Sequence, residues 1–324
     1  MARYLVTGAA GFIASCVAHE LLEAGHQVLG VDNLNDAYDP KLKHHRLIDL
    51  QAHEGFSFEL GDISDESFVS GLDSQGPFEA VINLAARAGV RQSVANPQVY
   101  LDTNTTGTRV LLDLCRRCEV GKFLLASTSS VYGAHNARPY REDADVSRPL
   151  SPYAASKLGA EALCHSYHHL HGIDVSVVRY FTVYGPAGRP DMSVFRFVQW
   201  IREGRPVLVF GDGSQSRDFT FVSDIARGTV AALAPQGFGV INLGGDAPHS
   251  ITDLIELIEE QTGRIAAIEN QPMHRADVTA TWADISAARE LLGWEPRIAL
   301  AEGVAESVAW YEANRSWAKD VETH

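Results

Sequence analysis

Arg3-Tyr4-Leu5-Val6-Thr7-Gly8-Ala9-Ala10-Gly11-Phe12-Ile13-Ala14 decides the fold. Residues 4–6 read as a short apolar strand. The glycine-bearing turn leads into an apolar-periodic helix through Val17, Leu21 and Leu22 to Gly25. In that setting a Gly-rich run means dinucleotide binding. Its glycines let backbone N–H groups approach a pyrophosphate at a helix N-terminus, where the dipole also favours anions. Gly8, Gly11, Phe12 and Ile13 are therefore candidate cofactor contacts. Ala14 stands in place of a third Gly and still permits close helix–strand packing. The next strand, His26–Val31, ends at Asp32. An acid there accepts from an adenosine ribose and repels a 2′-phosphate, which favours NAD over NADP.

Strands and helices continue to alternate. A weak helix spans Pro40–Glu54, and a strand at Phe56–Leu60 runs into Asp62-Ile63, where Asp62 is a candidate acceptor for an adenine amine. Another strand, Ala80–Leu84, runs into Ala85-Ala86, small residues that let the chain pass close to a cofactor. Ser93–Glu119 reads as one long helix or two, Lys122–Ala126 as a strand, and Asp174–Arg179 as a strand leading to Tyr180. This rhythm predicts an α/β fold, a doubly wound parallel sheet with right-handed crossovers. After about Gly185 the elements become shorter and irregular. We therefore expect a dinucleotide-binding domain over 1–180, with 219–243 returning to it, and a smaller mixed substrate domain over 181–324. Within the latter, helices are expected at Ser193–Glu203, Asp224–Ala234, Ile251–Gly263, Ile285–Leu292 and Leu300–Asn314, and strands at Val207–Phe210 and Gly239–Leu243. Ser316–His324 is polar and expected to fray.

Chemistry enters with Ser151-Pro152-Tyr153-Ala154-Ala155-Ser156-Lys157. Pro152 suits a first helical turn, and the helix runs on to His171. Tyr153 and Lys157, four apart, share one face. An ammonium beside a phenol favours the phenolate and makes a proton shuttle usable near neutral pH. Ser127-Thr128-Ser129-Ser130 brings four hydroxyls to the carboxyl end of a central strand, where α/β folds bind ligands.

A net charge of −14 argues against nucleic acid as a main partner, and no apolar run is long enough to span a bilayer. With no signal peptide before the first strand, a cytoplasmic protein is expected. Cys115-x-x-Cys118 lacks a second pair and reads as reduced thiols at a helix end. His165 and His169 have ligand spacing, but no further motif completes a site, so no metal is expected.

Together these motifs resemble the extended short-chain dehydrogenase/reductases, and within them the nucleotide-sugar 4-epimerases. The similarity runs from Arg3 to about Tyr311 and includes Asp32-Asn33-Leu34, Gly61-Asp62, Val131-Tyr132-Gly133 and Arg217-Asp218-Phe219. Arg179-Tyr-Phe-Thr-Val-Tyr-Gly-Pro-Ala-Gly-Arg-Pro-Asp-Met192 looks like the UDP-glucuronate 4-epimerases, with the neutral UDP-glucose enzymes as the alternative. The resemblance implies Thr128, Tyr153 and Lys157 as catalytic. Asp32, Asn33, Asp62, Ile63, Leu84, Ala85, Ala86, Tyr153, Lys157 and Tyr180 would hold NAD together with the glycine turn. It places Arg87, Thr128, Ser129, Ser130, Tyr153, Thr182, Arg189, Arg217 and Asp277 around a UDP-sugar, with Arg189, Thr182 and the serines near a sugar carboxylate. It also implies a homodimer through the Ser93–Glu119 and Tyr153–His171 helices. Asn83 stands where many relatives have His, Arg87 where Gln is frequent, and His274-Arg275-Ala276 where Pro-Gly precedes Asp277. Related dehydratases and decarboxylases need a carboxylate just after the catalytic Thr. Ser129-Ser130 offers none.

Overall fold

The computed structural model describes residues 1–273 and 277–323; His274-Arg275-Ala276 therefore lies outside the described residues. Its strands are β1 (Arg3–Thr7), β2 (Gln27–Asp32), β3 (Phe56–Leu60), β4 (Ala80–Asn83), β5 (Lys122–Thr128), β6 (Asp174–Tyr180), β7 (Thr182–Tyr184), β8 (Val207–Phe210), β9 (Ser216–Phe221), β10 (Phe238–Leu243), β11 (Pro248–Ser250) and β12 (Ile268–Gln271). Its helices are α1 (Phe12–Glu23), α2 (Pro40–Gln51), α3 (Glu66–Gly71), α4 (Val90–Ala95), α5 (Pro97–Tyr100), α6 (Gly107–Arg117), α7 (Pro152–His171), α8 (Ser193–Arg202), α9 (Val222–Ala231), α10 (Ile251–Thr262), α11 (Ser286–Leu292) and α12 (Leu300–Ala318).

Seven strands form one parallel sheet in the order β10-β6-β5-β4-β1-β2-β3. This is the doubly wound arrangement the alternation predicts. Both faces are covered, so neighbours along a strand enter different cores: Val6 packs with Val17, Leu21 and Ile225, and Leu5 with Leu111, Leu114 and Val175. The strand order reverses between β1 and β4, which opens a crevice at the carboxyl ends of the strands. A smaller body faces that crevice. In it β9 lies between β7 (parallel) and β11 (antiparallel), and β8 pairs with β12. Its core gathers Tyr184, Phe197, Trp200, Phe219, Leu254, Val304 and Tyr311.

Two expectations are revised. The span read as one long helix or two is not one: it divides into two helical runs, at 90–95 and 97–117. The chain breaks at Asn96-Pro97, because a residue before proline is pushed out of helical geometry, and Asn96 sits at φ −139°, ψ 76°. Leu101–Thr106 then winds more widely, with i→i+5 turns, before α6 begins. The C-terminal stretch is not frayed either. Helix α12 continues to Ala318, Val321 is buried, and the buried Gln199 side chain donates to the Ala318 and Val321 carbonyls at 3.0 and 2.8 Å. Trp200 adds a bond to the Thr323 hydroxyl at 2.9 Å. The tail's polar composition hides the fact that its few apolar side chains all turn inward.

Candidate active site

The crevice is a cavity of about 690 Å³ between the large sheet and the smaller body. That is within the range of small-molecule sites, about 300–1,000 Å³. Gly8, Gly11, Phe12, Ile13 and Ala14 line one end. Gly8 has φ +70°, and a Cβ there would meet the Ala85 backbone at 2.8 Å. A Cβ on Gly11 would lie 2.7 Å from the Gly8 carbonyl oxygen. Helix α1 starts at Gly11 with no side-chain cap and no acid in its first turn. Its N–H groups and positive dipole end are thus left for an anion. The cradle fits a dinucleotide pyrophosphate, and both glycines are required by close approach. Gly8→Ala is expected to cost about 1–2 kcal/mol in backbone strain and to yield protein purified without dinucleotide. Absorbance after acid release of bound cofactor measures it.

Beyond the cradle, Asp32, Asn33, Asp62, Ile63, Leu84, Ala85 and Ala86 all reach the cavity wall. Asp32 is already engaged: Oδ1 accepts from Leu34 N at 2.8 Å, Oδ2 from Ala10 N at 3.2 Å, and the buried Lys43 ammonium lies 3.4 Å away. It therefore braces the glycine turn as well as facing the ribose position. Asp62 accepts from the Asn33 amide at 2.7 Å and the Ser64 hydroxyl at 2.6 Å. Burial pushes its carboxyl up, but the bonds from Ser64 and Asn33 prevail and hold it below the usual range. Tyr180 borders the cavity while its hydroxyl turns away to Thr229 at 2.8 Å.

The chemistry sits at the end of β5. Thr128 and Ser130 are bonded hydroxyl to hydroxyl at 3.2 Å. Ser151 caps α7 by accepting from Ala154 N at 3.2 Å, and Pro152 opens its first turn. This aims Tyr153 at the cavity beside Thr128. Burial raises the Tyr153 hydroxyl above the ordinary phenol value; the Thr128 hydrogen bond opposes this first and the Arg189 cation second. Lys157, four residues on along α7, lines the same cavity. Its ammonium donates to the Ala126 carbonyl at 3.0 Å. Burial lowers Lys157 to about 8, against the pull of Glu161. Glu161 is itself tied to Arg179 at 2.7 Å and to the Ser127 hydroxyl. Lys157 is thus charged below about pH 8 and neutral above it. If its cation serves the reaction, kcat/KM falls on the alkaline side with a midpoint about 8. A profile flat from pH 7 to 10 contradicts that role.

The same cavity holds Arg189, which donates to Asp191 through Nε and Nη2 at 3.0 and 2.5 Å. Both line the cavity with Thr182. The bidentate pair leaves the Nη1 side of the guanidinium for a second acceptor. At the far end stand Arg91, Arg196, Arg217 and Asp277. Burial lowers Arg217, opposed by Asp277 and reinforced by Arg91. An acidic chain has gathered cations here, so this end suits a polyanion.

Arg87 is the sequence-based candidate that the structure does not bring to the cavity wall. Its guanidinium reaches Asn35 Oδ1 at 3.3 Å, and its backbone is clamped by the buried Asn104 side chain at 2.9 and 3.0 Å. The wall position belongs instead to Arg91, which pairs with Asp277 at 2.5 Å and lies 3.8 Å over the Phe210 ring. Asn83 accepts from Thr7 at 2.8 Å and donates to Thr108 at 3.0 Å, which makes it a brace between β1 and α6. Asn104, Arg91 and Lys43 escaped the sequence reading.

A model of the NAD dependent epimerase/dehydratase family matches residues 4–244. The chain belongs to that family. A UDP-glucuronate 4-epimerase of Thermodesulfobacterium geofontis is 54% identical to this family member over 322 residues, 99% of each chain. The crystal structure of a UDP-glucuronic acid 4-epimerase from Bacillus cereus, solved with UDP-glucuronic acid and NAD, superposes with a TM-score of 0.91. It is 38% identical, and the match covers 96% of this chain and 99% of that one. A UDP-glucose 4-epimerase of Thermotoga maritima, solved with UDP-glucose, gives 0.88 at 31% identity, over 97% and 99% of the two chains. Within this epimerase/dehydratase frame, the glycine cradle, the Tyr153–Thr128 pair and the arginine end lie along one continuous cavity.

Proposed function

We propose that the protein inverts C4 of a UDP-hexuronic acid, interconverting UDP-glucuronate and UDP-galacturonate, with NAD as its resident cofactor. The observation that carries this is Arg189: a guanidinium held by Asp191, with one side left over, in the cavity that Tyr153 and Thr128 also line, its charge lowering the Tyr153 hydroxyl. NAD, when bound, supplies the oxidant that takes hydride from C4 and returns it to the opposite face. Tyr153 removes the 4-hydroxyl proton and later gives it back, and Thr128 hydrogen-bonds the same oxygen. Arg217 and Arg91 hold the diphosphate while the flat keto sugar turns over between two strokes.

The 4-keto sugar is a β-keto acid. When its carboxylate bond aligns with the carbonyl π system, the C5–C6 bond breaks and CO2 leaves. The electron pair enters an enolate that a proton from solvent quenches, leaving a 4-keto pentose, which becomes a pentose only when the hydride taken from C4 is returned to it. Arg189, helped by Thr182, Ser129 and Ser130, holds the carboxylate out of that alignment. A planar fork of donors fixes the carboxylate's orientation where a lone ammonium would not.

The glycine cradle and β1–β6, with α9 leading to β10 at the sheet edge, support residues 1–180 plus the returning 219–243 stretch from Val222 onward as the NAD-holding part, while Phe219–Phe221 stays in β9 of the smaller sheet with the rest of 181–324, for the nucleotide sugar. A homodimer through α4–α7 is supported by the exposed Val94, Leu101 and Leu170 side chains. A cytoplasmic setting is supported by the unbridged thiols of Cys16, Cys115, Cys118 and Cys164. No described helix is long and apolar enough to cross a membrane. Incubation with UDP-glucuronate and UDP-glucose separately, followed by NMR, tests the reading. The 4-epimer of the acidic sugar without CO2 is expected. Pentose as the main product, or turnover of the neutral sugar alone, overturns it.

A further inference from the structure

Behind the cavity wall, Arg46 of α2 is buried and, among the described residues, pairs with no carboxylate. A guanidinium taken out of water needs strong compensation, and here backbone carbonyls and a phenol provide it. Nη1 donates to the Ala10 carbonyl of the glycine turn at 3.1 Å and to the Tyr38 hydroxyl at 2.7 Å. Nε and Nη2 both donate to the Ala187 carbonyl, at 3.1 and 2.6 Å, and Nη2 reaches the Gly188 carbonyl at 3.3 Å. The guanidinium carbon lies 5.8 Å from the Phe12 ring centre and 5.6 Å from that of Tyr38.

One side chain thus joins the dinucleotide cradle to the loop that ends in Arg189. That loop has reason to need a tie. Ala187 sits at φ +50°, a backbone region a residue with a Cβ seldom adopts. Its carbonyl takes two of the Arg46 bonds. Helix α2 cannot easily shift, because its other side is wedged. His45 packs between Trp310 and Trp317 at 5.7 and 5.2 Å, and Leu42 clusters with Phe195 and Val321.

We propose that Arg46 is a positioning residue that locks the 187–189 loop to the glycine turn, so that the Arg189 guanidinium has one register relative to the sugar carboxylate. This rests on the reading of Arg189 given above. It assigns to the cofactor-side helix a share in substrate discrimination.

The test compares holoenzyme of wild type, Arg46→Lys and Arg46→Gln. Lysine keeps the charge but has a single nitrogen, which cannot span the Ala10 and Ala187 carbonyls as the fork does. Both variants are expected to retain bound NAD. Amide hydrogen exchange over residues 185–192 should speed up at least about tenfold while the central sheet stays protected. With UDP-glucuronate, kcat should drop by about ten- to a hundredfold, the scale of a small misplacement of a reacting group. UDP-pentose and CO2 should appear as a new share of product. That partition is a readout general destabilisation would not move. Wild-type exchange over 185–192 in either folded variant overturns the proposal, as does wild-type kcat with no pentose. Arg46→Lys decides the matter should Arg46→Gln fail to fold. If wild type itself does not convert UDP-glucuronate, the substrate reading fails, and the exchange measurement alone decides the coupling.

Discussion

Tyr153→Phe is expected to lower kcat by about a thousandfold, within the range of about 10²–10⁴ for a positioned acid–base group, while the protein keeps its NAD and its melting temperature. The side chain loses only its hydroxyl, so the packing of α7 against the cavity is unchanged. What disappears is the atom that takes the C4 hydroxyl proton as hydride departs. The structure explains why no other group substitutes. Thr128 and Ser130 are bonded to each other, and both are far too weak as bases. The Lys157 ammonium is already engaged by the Ala126 carbonyl. In the folded protein burial raises the Tyr153 hydroxyl, and Thr128 and then Arg189 oppose it. The positive nicotinamide ring of bound NAD would add to that opposition, so proton removal is tied to the loaded cofactor. The readouts are a steady-state rate, cofactor released by acid, and a thermal melt. Retained turnover would remove Tyr153 from the mechanism. Lost NAD would make it a structural residue instead.

Arg189→Ala is expected to lower turnover of UDP-glucuronate by about a hundredfold, from the loss of a charged hydrogen-bonded contact worth about 1.5–3 kcal/mol. The abandoned Asp191 carboxylate, facing the same cavity, adds its own repulsion. Two components can be separated. Arg189 also lowers the Tyr153 hydroxyl, an effect shared by acidic and neutral sugars. Loss of the carboxylate grip falls on the acidic sugar alone. Any UDP-glucose turnover that wild type shows should therefore decline only modestly. The product mixture should also change, with CO2 and UDP-pentose appearing as the keto acid rotates into alignment. Arg189→Lys should fall between, since an ammonium keeps the charge and loses the paired geometry. Equal losses on both sugars, with no CO2, would assign Arg189 a general electrostatic role.

Much of this was legible because it is local. The glycine turn between β1 and α1 carries its own explanation. So do the proline-opened helix that places Tyr153 and Lys157 on one face, and the hydroxyl run ending β5. Arg217, Asp277 and Arg189 were found by resemblance, and the cavity does gather them. What stayed hidden depends on contacts distant in the chain. Lys43 and Arg46 belong to a stretch that reads as a polar, weak helix, yet both are buried. Nothing near them announces Asp32 or the Ala187 carbonyl as partners. Asn104 lies in a segment that reads as ordinary helix. Only the wide turns of Leu101–Thr106 swing its amide onto the Arg87 backbone and the Ser156 hydroxyl. Arg87, in the coil before α4, and Arg91, inside it, are four residues apart and equally basic, so the sequence cannot say which reaches the wall. The Val321 anchor is invisible for the same reason: its binding site is made by Leu42 and Phe195, from opposite sides of the cavity.

The most direct measurement uses UDP-glucuronate carrying deuterium at C4, mixed with holoenzyme and quenched during turnover. The account predicts that deuterium appears on C4 of the nicotinamide released from the enzyme and is found again at C4 of the UDP-galacturonate formed, without dilution by solvent. Epimer formed while the label never reaches the nicotinamide, or is lost to water, contradicts it.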